Sequence, residues 1–130
     1  MELKKQVICL PSDIDPECIE LCNTLNSLPL TETFESCSGH GKYLFSIWFK
    51  CHSLDVISRL GRAVAKNYSD GNWEIIVDST DVDPMGIFWL RTNKILSKEQ
   101  LEISLKGLID NIIYWCDDKF DGYFCFSKNI

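Results

Sequence analysis

The sequence predicts an α+β domain in which helices cover a mostly antiparallel sheet, with the element order β-α-β-β-α-β-β-α. Segments in which apolar and polar residues alternate, as in strands, are interspersed with segments whose apolar residues recur every three or four positions, as in helices. A β-α-β-β-α-β run is typical of the ferredoxin-like arrangement. Because a chain of 130 residues fits one core, residues 1–130 are predicted to form a single domain.

The first elements are indicated by a short apolar run and a helix start signal. Residues 6–10, QVICL, are typical of a short buried strand. Asp15 is expected to cap a helix with Pro16 at its first position, where the fixed φ and missing N–H of proline are tolerated. That helix should end before Pro29, and residues 31–36, TETFES, form the second predicted strand.

The strongest strand pattern is KYLFSIWFKC, at residues 42–51. Apolar residues occupy every second position of this run, which is typical of a strand with one face on the core. The predicted core face consists of Tyr43, Phe45, Ile47, Phe49 and Cys51.

A second helix is expected to follow this strand. Ser53 is its predicted cap, and its apolar stripe runs from Leu54 to Tyr68. The basic residues of this helix are expected on its solvated face. They are Arg59, Arg62 and Lys66.

Two strands and a long helix complete the predicted fold. Residues 73–79, WEIIVDS, and 87–91, IFWLR, are the strands. Ser97 and Gln100 have the spacing of a capping box, which marks the start of the third helix. The aromatic tail at residues 122–126, GYFCF, is expected to add an edge strand or to pack onto the domain.

Composition restricts the class of partner and the compartment. A net charge of −6 argues against binding to duplex nucleic acid, which rests on many lysine and arginine contacts to phosphates. The seven cysteines are an odd number without a C-x-x-C pair, which is typical of reduced thiols inside the cell. Neither a signal peptide nor a membrane-spanning run is recognisable. We therefore expect a soluble cytoplasmic protein without a membrane partner.

The segment FESCSGHGKY, residues 34–43, carries the candidate functional residues. If the strands run as predicted, the turn at residues 36–42 lies at the same end of the sheet as Arg91. Successive glycines can expose backbone N–H groups as an anion-binding nest, to which serine, histidine and lysine side chains add donors. An ordinary polar hairpin tip would also contain glycine and serine, and both interpretations stay open. The predicted ligand-binding residues are Ser36, Ser38, Gly39, His40, Gly41, Lys42 and Arg91.

Two chemical alternatives involve Cys37. Together with His40, Cys51 and His52 it has the composition of a zinc site, but a strand separates the two pairs by nearly 30 Å at about 3.3 Å per residue. We therefore predict no metal and no cofactor. In an enzyme, His40 could activate Cys37 as a nucleophile, although the sequence identifies no third, orienting group.

ESCSGHG, preceded by Thr31 and Thr33, resembles the S-S-C-S-G-R segment of the wybutosine-tRNA N4-methyltransferase family. It is also similar to the T-x-x-S-C-x-G-H-G pattern of small uncharacterised bacterial and phage proteins. The family has arginine where this chain has His40, and its other motifs have no counterpart here. The resemblance, confined to residues 31–41, implies a loop that faces a nucleotide or a methyl donor.

The function predicted from these observations is binding, or sequestering, of a small anionic, nucleotide-like ligand at the turn of residues 36–42. One alternative is a nucleotide- or RNA-modifying enzyme, either methyltransferase-like or dependent on Cys37 and His40. Another is a protein–protein interaction module that uses exposed sheet or the aromatic tail. The sequence leaves a homo-oligomer open.

Overall fold

The computed structural model describes residues 14–65, 70–79 and 86–117, and within these ranges the element order is α-β-β-α-β-β-α. This is the predicted order for that part of the chain. The first predicted strand, Tyr68, Lys66 and the aromatic tail lie outside the described residues. The helices are α1 (Pro16–Asn26), α2 (Leu54–Val64) and α3 (Lys98–Cys116), and the strands are β1 (Thr31–Cys37), β2 (Ser46–Cys51), β3 (Trp73–Ser79) and β4 (Gly86–Thr92).

The four strands form one antiparallel sheet with the order β1-β2-β4-β3. Ser46 pairs with Cys37 on one side and with Arg91 on the other. The last residues of β1 and β4 therefore lie at the same end of the sheet, as the predicted strand directions required. The α+β class and the antiparallel sheet are confirmed, and the arrangement is compatible with a ferredoxin-like fold.

The hydrophobic core lies between one face of the sheet and the helices. Ile47, Phe49 and Leu90 point from the central strands into this core and are fully buried. Complete burial of one such side chain contributes about 2 kcal/mol. From α3, Ser104 accepts a hydrogen bond of 2.7 Å from the Trp73 indole, which ties the helix to the edge strand β3. The helices contribute Leu21, Leu25, Leu60, Leu108 and Ile112.

The strand β2 is shorter than predicted, because the chain is still turning at residues 42 and 43. The carbonyl oxygen of Gly39 accepts hydrogen bonds from the backbone N–H groups of both Lys42 and Tyr43. Tyr43 is consequently 68% exposed, and its prediction as a core residue is wrong. The other four predicted core residues, Phe45, Ile47, Phe49 and Cys51, are buried.

The helix α2 buries Leu60 and Val64 of the expected stripe, but its buried face is rotated away from Leu54. Leu54 is exposed, whereas Arg59 is only 4% exposed and lies 3.3 Å from the Asp55 carboxylate. The expectation of a solvated Arg59 is therefore wrong. Its position follows from the buried residues Val56, Leu60 and Ala63, since residues three and four apart share one helix face.

The second face of the sheet carries aromatic and basic side chains. Trp48 and Trp89 stack with ring centroids 4.7 Å apart, and the Arg91 guanidinium lies 4.2 Å from the centroid of Trp89. Arg91 thus points away from the core face on which its neighbours Leu90 and Thr92 lie. Among the described helices, none has the length and apolar content needed to cross a membrane.

Candidate functional site

The turn between β1 and β2 contains three consecutive residues with left-handed backbone. Gly39, His40 and Gly41 have φ values of 85°, 52° and 77°. A side chain at Gly39 would place its Cβ only 2.3 Å from the carbonyl oxygen of Tyr43, whereas the space at Gly41 is open. Glycine is therefore required at position 39 for both conformation and space. His40 adopts a backbone that non-glycine residues seldom use.

Asp15, immediately before α1, is part of this site. Its side chain makes no hydrogen bond to the helix that follows. Instead, Oδ2 accepts a hydrogen bond of 3.0 Å from the backbone N–H of Ser38 and lies 3.3 Å from Nε2 of His40. Because α1 and β1 run in opposite directions, the start of the helix and the end of the strand meet at one edge of the domain.

The carboxyl group of Asp15 is held in its ionised form. The backbone N–H of Ser38 lowers its pKa below the ordinary value, partial burial acts in the opposite direction, and the Ser38 hydroxyl and His40 lower it further. Asp15 therefore presents a carboxylate to the turn at neutral pH.

Side chains of the site accept hydrogen bonds from the first three backbone N–H groups after β1. The N–H of Ser38 donates to the Asp15 carboxylate. The N–H of Gly39 donates to Sγ of Cys37 at 3.4 Å, and the N–H of His40 donates to Oγ of Ser38 at 3.4 Å. The same Oγ lies 3.5 Å from Nδ1 of His40. The donors that were expected to form an anion-binding nest thus contact groups of the protein itself, which fixes the orientation of Asp15, Cys37 and His40.

The remaining predicted residues are distributed around the site. Ser36 lies beside the thiol of Cys18, where it acts to lower the pKa of that thiol, but burial raises this pKa to about 12. Lys42 is exposed. The Nε of Arg91 donates to Oε2 of Glu74 at 2.7 Å. Arg91 therefore lies at the predicted end of the sheet, but its guanidinium forms an ion pair with a carboxylate on β3.

A cavity of about 230 Å³ lies beside the turn. Its lining combines the turn with the first residues of α1 and α3, so the starts of two helices converge on it. Sequence reasoning missed Lys98 and Glu17, because nothing in their local patterns distinguishes them from other exposed helix residues. The lining residues are Glu17, Ser38, His40, Gly41, Leu96, Lys98 and Leu101.

Within the described part of the chain, Asp15, Cys37 and His40 form the one group of three potential metal ligands. Their donor atoms all lie within 4.8 Å of one another. Cys51 lies at the opposite end of β2, where it pairs with Thr31. The structure therefore brings Cys37 and His40 together without Cys51 and His52, and adds an aspartate that the sequence indicated only as a helix cap.

No family model, curated protein or solved structure matches this chain. The chemistry of the site must accordingly be inferred from its own geometry.

Proposed function

We propose that the protein binds a small anionic, nucleotide-like ligand whose anionic group occupies the cavity beside the turn of residues 36–42. The observation that carries this proposal is the composition of the cavity wall. Ser38, His40 and Gly41 of the turn meet the first residue of α3, Lys98, across about 230 Å³.

The electrostatics of the wall favour an anion. Backbone N–H groups at a helix start are equivalent to roughly half a positive charge, and both α1 and α3 begin at this cavity. The Lys98 ammonium adds a full positive charge to the wall. Glu17 in the wall and the Asp15 carboxylate beside His40 oppose these groups. The expected ligand therefore also carries a donor, such as a sugar hydroxyl or an exocyclic amine, that can face a carboxylate.

The dimensions favour a phosphate group over a whole nucleotide inside the cavity. Pockets that enclose drug-sized ligands have volumes of roughly 300–1,000 Å³, above the value found here. A second depression of about 530 Å³ runs between α1 and α3 and shares Glu17 and Lys98 with the cavity. We place the phosphate in the cavity and the remainder of the ligand along this groove.

A thermal-shift experiment tests the proposal. Pyrophosphate, ADP, ADP-ribose and S-adenosylmethionine would be added to protein kept in EDTA, so that no metal contributes. A ligand at a hundredfold excess over its Kd stabilises the folded state by about 2.7 kcal/mol, which raises the melting temperature.

Two lysine variants make this test specific. Lys98→Gln should abolish the shift, while Lys94→Gln, which removes the same charge from an exposed residue outside the cavity wall, should retain it. The absence of a shift with every anion, or equal shifts in the two variants, would contradict the proposal.

In the alternative of a thiol enzyme, His40 would activate Cys37. The structure provides a carboxylate that could orient His40, but His40 does not direct a ring nitrogen at Cys37. Asp15 lies close to Nε2 of His40, as an orienting carboxylate would. The other ring nitrogen, Nδ1, faces the hydroxyl of Ser38 instead of the thiol of Cys37. A histidine that activates a cysteine must direct one nitrogen at the sulfur and the other at its orienting group. The arrangement therefore supports ligand binding better than thiol catalysis.

We further propose that the protein acts in the cytoplasm, which agrees with the reduced state of its described thiols. Cys18, Cys37, Cys51 and Cys116 form no disulfide. A reducing compartment would preserve the thiol of Cys37 at the site.

A further inference from the structure

The three side chains that meet at the start of α1 offer a mixed set of metal donors. They are a carboxylate oxygen of Asp15, the sulfur of Cys37 and a ring nitrogen of His40, all within 4.8 Å of one another. Cys37 and Asp15 are half-buried, while His40 is exposed. One side of the group is thus open to solvent.

The spacing of these donors is close to that of a tetrahedral site. Oδ2 of Asp15 and Nε2 of His40 are 3.3 Å apart. A zinc ion that binds oxygen and nitrogen at about 2.0–2.1 Å holds those two donors about 3.3 Å apart. With a zinc–sulfur distance of about 2.3 Å, the sulfur would lie about 3.5 Å from both. The sulfur of Cys37 lies within 4.8 Å of the other two donors, so the approach that it needs to complete the set is short.

Each donor also has a second partner that orients it. The Ser38 N–H donates to Asp15, the Gly39 N–H donates to the Cys37 sulfur, and the Ser38 hydroxyl faces Nδ1 of His40. Such outer contacts are typical of metal ligands, since a histidine that binds metal through one nitrogen usually donates a hydrogen bond from the other.

We propose that Asp15, Cys37 and His40 bind a divalent transition-metal ion of the zinc class through Oδ2, Sγ and Nε2. Thiolate and imidazole donors select such ions over magnesium and calcium, which prefer oxygen. Binding releases the thiol proton of Cys37 to solvent, and three protein donors leave one position for water or an added anion. The site binds metal whether or not an anion occupies the neighbouring cavity.

The test is a titration of reduced protein, freed of metal with a chelator, with Co²⁺. A cysteine ligand produces a thiolate-to-cobalt charge-transfer band in the near ultraviolet, and tetrahedral geometry produces intense visible d–d bands. Zn²⁺ should remove both bands by displacement, whereas Mg²⁺ should leave them unchanged. No charge-transfer band with folded protein would overturn the proposal.

Variants assign the bands to the three residues. Cys37→Ser should abolish the charge-transfer band. Asp15→Asn and His40→Asn should weaken Co²⁺ binding by at least about tenfold, because the loss of a residue that only hydrogen-bonds a metal ligand already has an effect of that size. Asparagine is chosen at position 40 because it tolerates left-handed backbone. Cys116→Ser and His52→Asn are the matched controls, since both residues lie outside the group, and they should bind as wild type does. A charge-transfer band that persists in Cys37→Ser would overturn the assignment.

A second measurement keeps the proposal testable if Cys37→Ser fails to fold. Wild-type protein would be alkylated with iodoacetamide with and without Zn²⁺, and each cysteine peptide would be quantified by mass spectrometry. Zn²⁺ should protect Cys37, and equal alkylation in both conditions would overturn the proposal. These titrations contain no anion, and the anion screen contains EDTA, so failure of either proposal is distinguishable from failure of the other.

Discussion

At the scale of single residues, Gly39 and Gly41 share left-handed backbone but differ in their surroundings. Gly41→Ala meets open space and should lower the free energy of unfolding by about 1–2 kcal/mol, the conformational cost of left-handed backbone. Gly39→Ala carries the same cost and adds the close approach to the Tyr43 carbonyl. We expect its loss in urea unfolding to be clearly the larger of the two. Equal losses would show that the turn relaxes around a new Cβ.

The two thiols Cys18 and Cys37 lie near one another but should differ in reactivity. Burial raises the pKa of Cys18 to about 12, and its side chain is fully buried. Since the thiolate is the reactive form, Cys18 should resist iodoacetamide at about pH 8 in the folded, metal-free protein, while half-exposed Cys37 is alkylated. Peptide mapping measures both rates in one sample. Faster alkylation of Cys18 would contradict this assignment.

The same scale shows where sequence reasoning fell short. The sequence indicated the turn and identified Cys37 and His40, because glycine, serine and histidine between two strand patterns are visible locally. Asp15 was predicted only as a helix cap, since its contact with Ser38 spans 23 positions and leaves no local pattern. The pairing of Arg91 with Glu74 was equally invisible, because it depends on the strand register.

At the scale of elements, one polar contact connects β3 to α3. The indole N–H of Trp73 donates to Ser104, which is 2% exposed. Ser104→Ala leaves this donor without its acceptor, and we expect a loss of about 1–3 kcal/mol in chemical unfolding. In a Trp73→Phe background the same change should cost less, because only the longer contact from Nδ2 of Asn72, at 3.4 Å, remains. A cost that is independent of residue 73 would mean that the contact contributes nothing.

The elements themselves were largely predictable, and the errors have physical causes. Pro16 located the start of α1, because its fixed φ and missing N–H suit the first helical position. The Ser97–Gln100 capping box located the start of α3, because its side chains satisfy N–H groups at the helix start. The start of β2 was placed too early because alternation continues through Tyr43, whose N–H is bound within the turn. Burial of Arg59 depends on which stripe of α2 faces α3, a tertiary property.

At the scale of the whole molecule, we expect the buried thiol of Cys18 and the half-buried thiol of Cys116 to make stability depend on alkaline pH. Burial raises the pKa values of Cys18 and Cys116 from 9.0 to about 12, so the unfolded chain loses these protons first. Their contribution to stability is complete below the unfolded value and declines as pH rises from 9.0 towards about 12.

Unfolding free energies measured across this range should therefore fall more steeply in wild type than in a Cys18→Ala/Cys116→Ala variant. The variant loses packing at every pH, so the slope, and not the absolute stability, is the quantity to compare. Equal slopes would show that the two thiols ionise alike in the folded and unfolded chains.

The central claim is that a small anion binds in the cavity where the turn meets the starts of α1 and α3. Its most direct test is a series of ¹H–¹⁵N correlation spectra of metal-free protein titrated with pyrophosphate. We predict shifts concentrated at Glu17, Ser38, Gly41, Lys98 and Leu101, which line the cavity. Shifts that instead centre on Arg91 and Glu74, or spectra that do not change, would contradict the account.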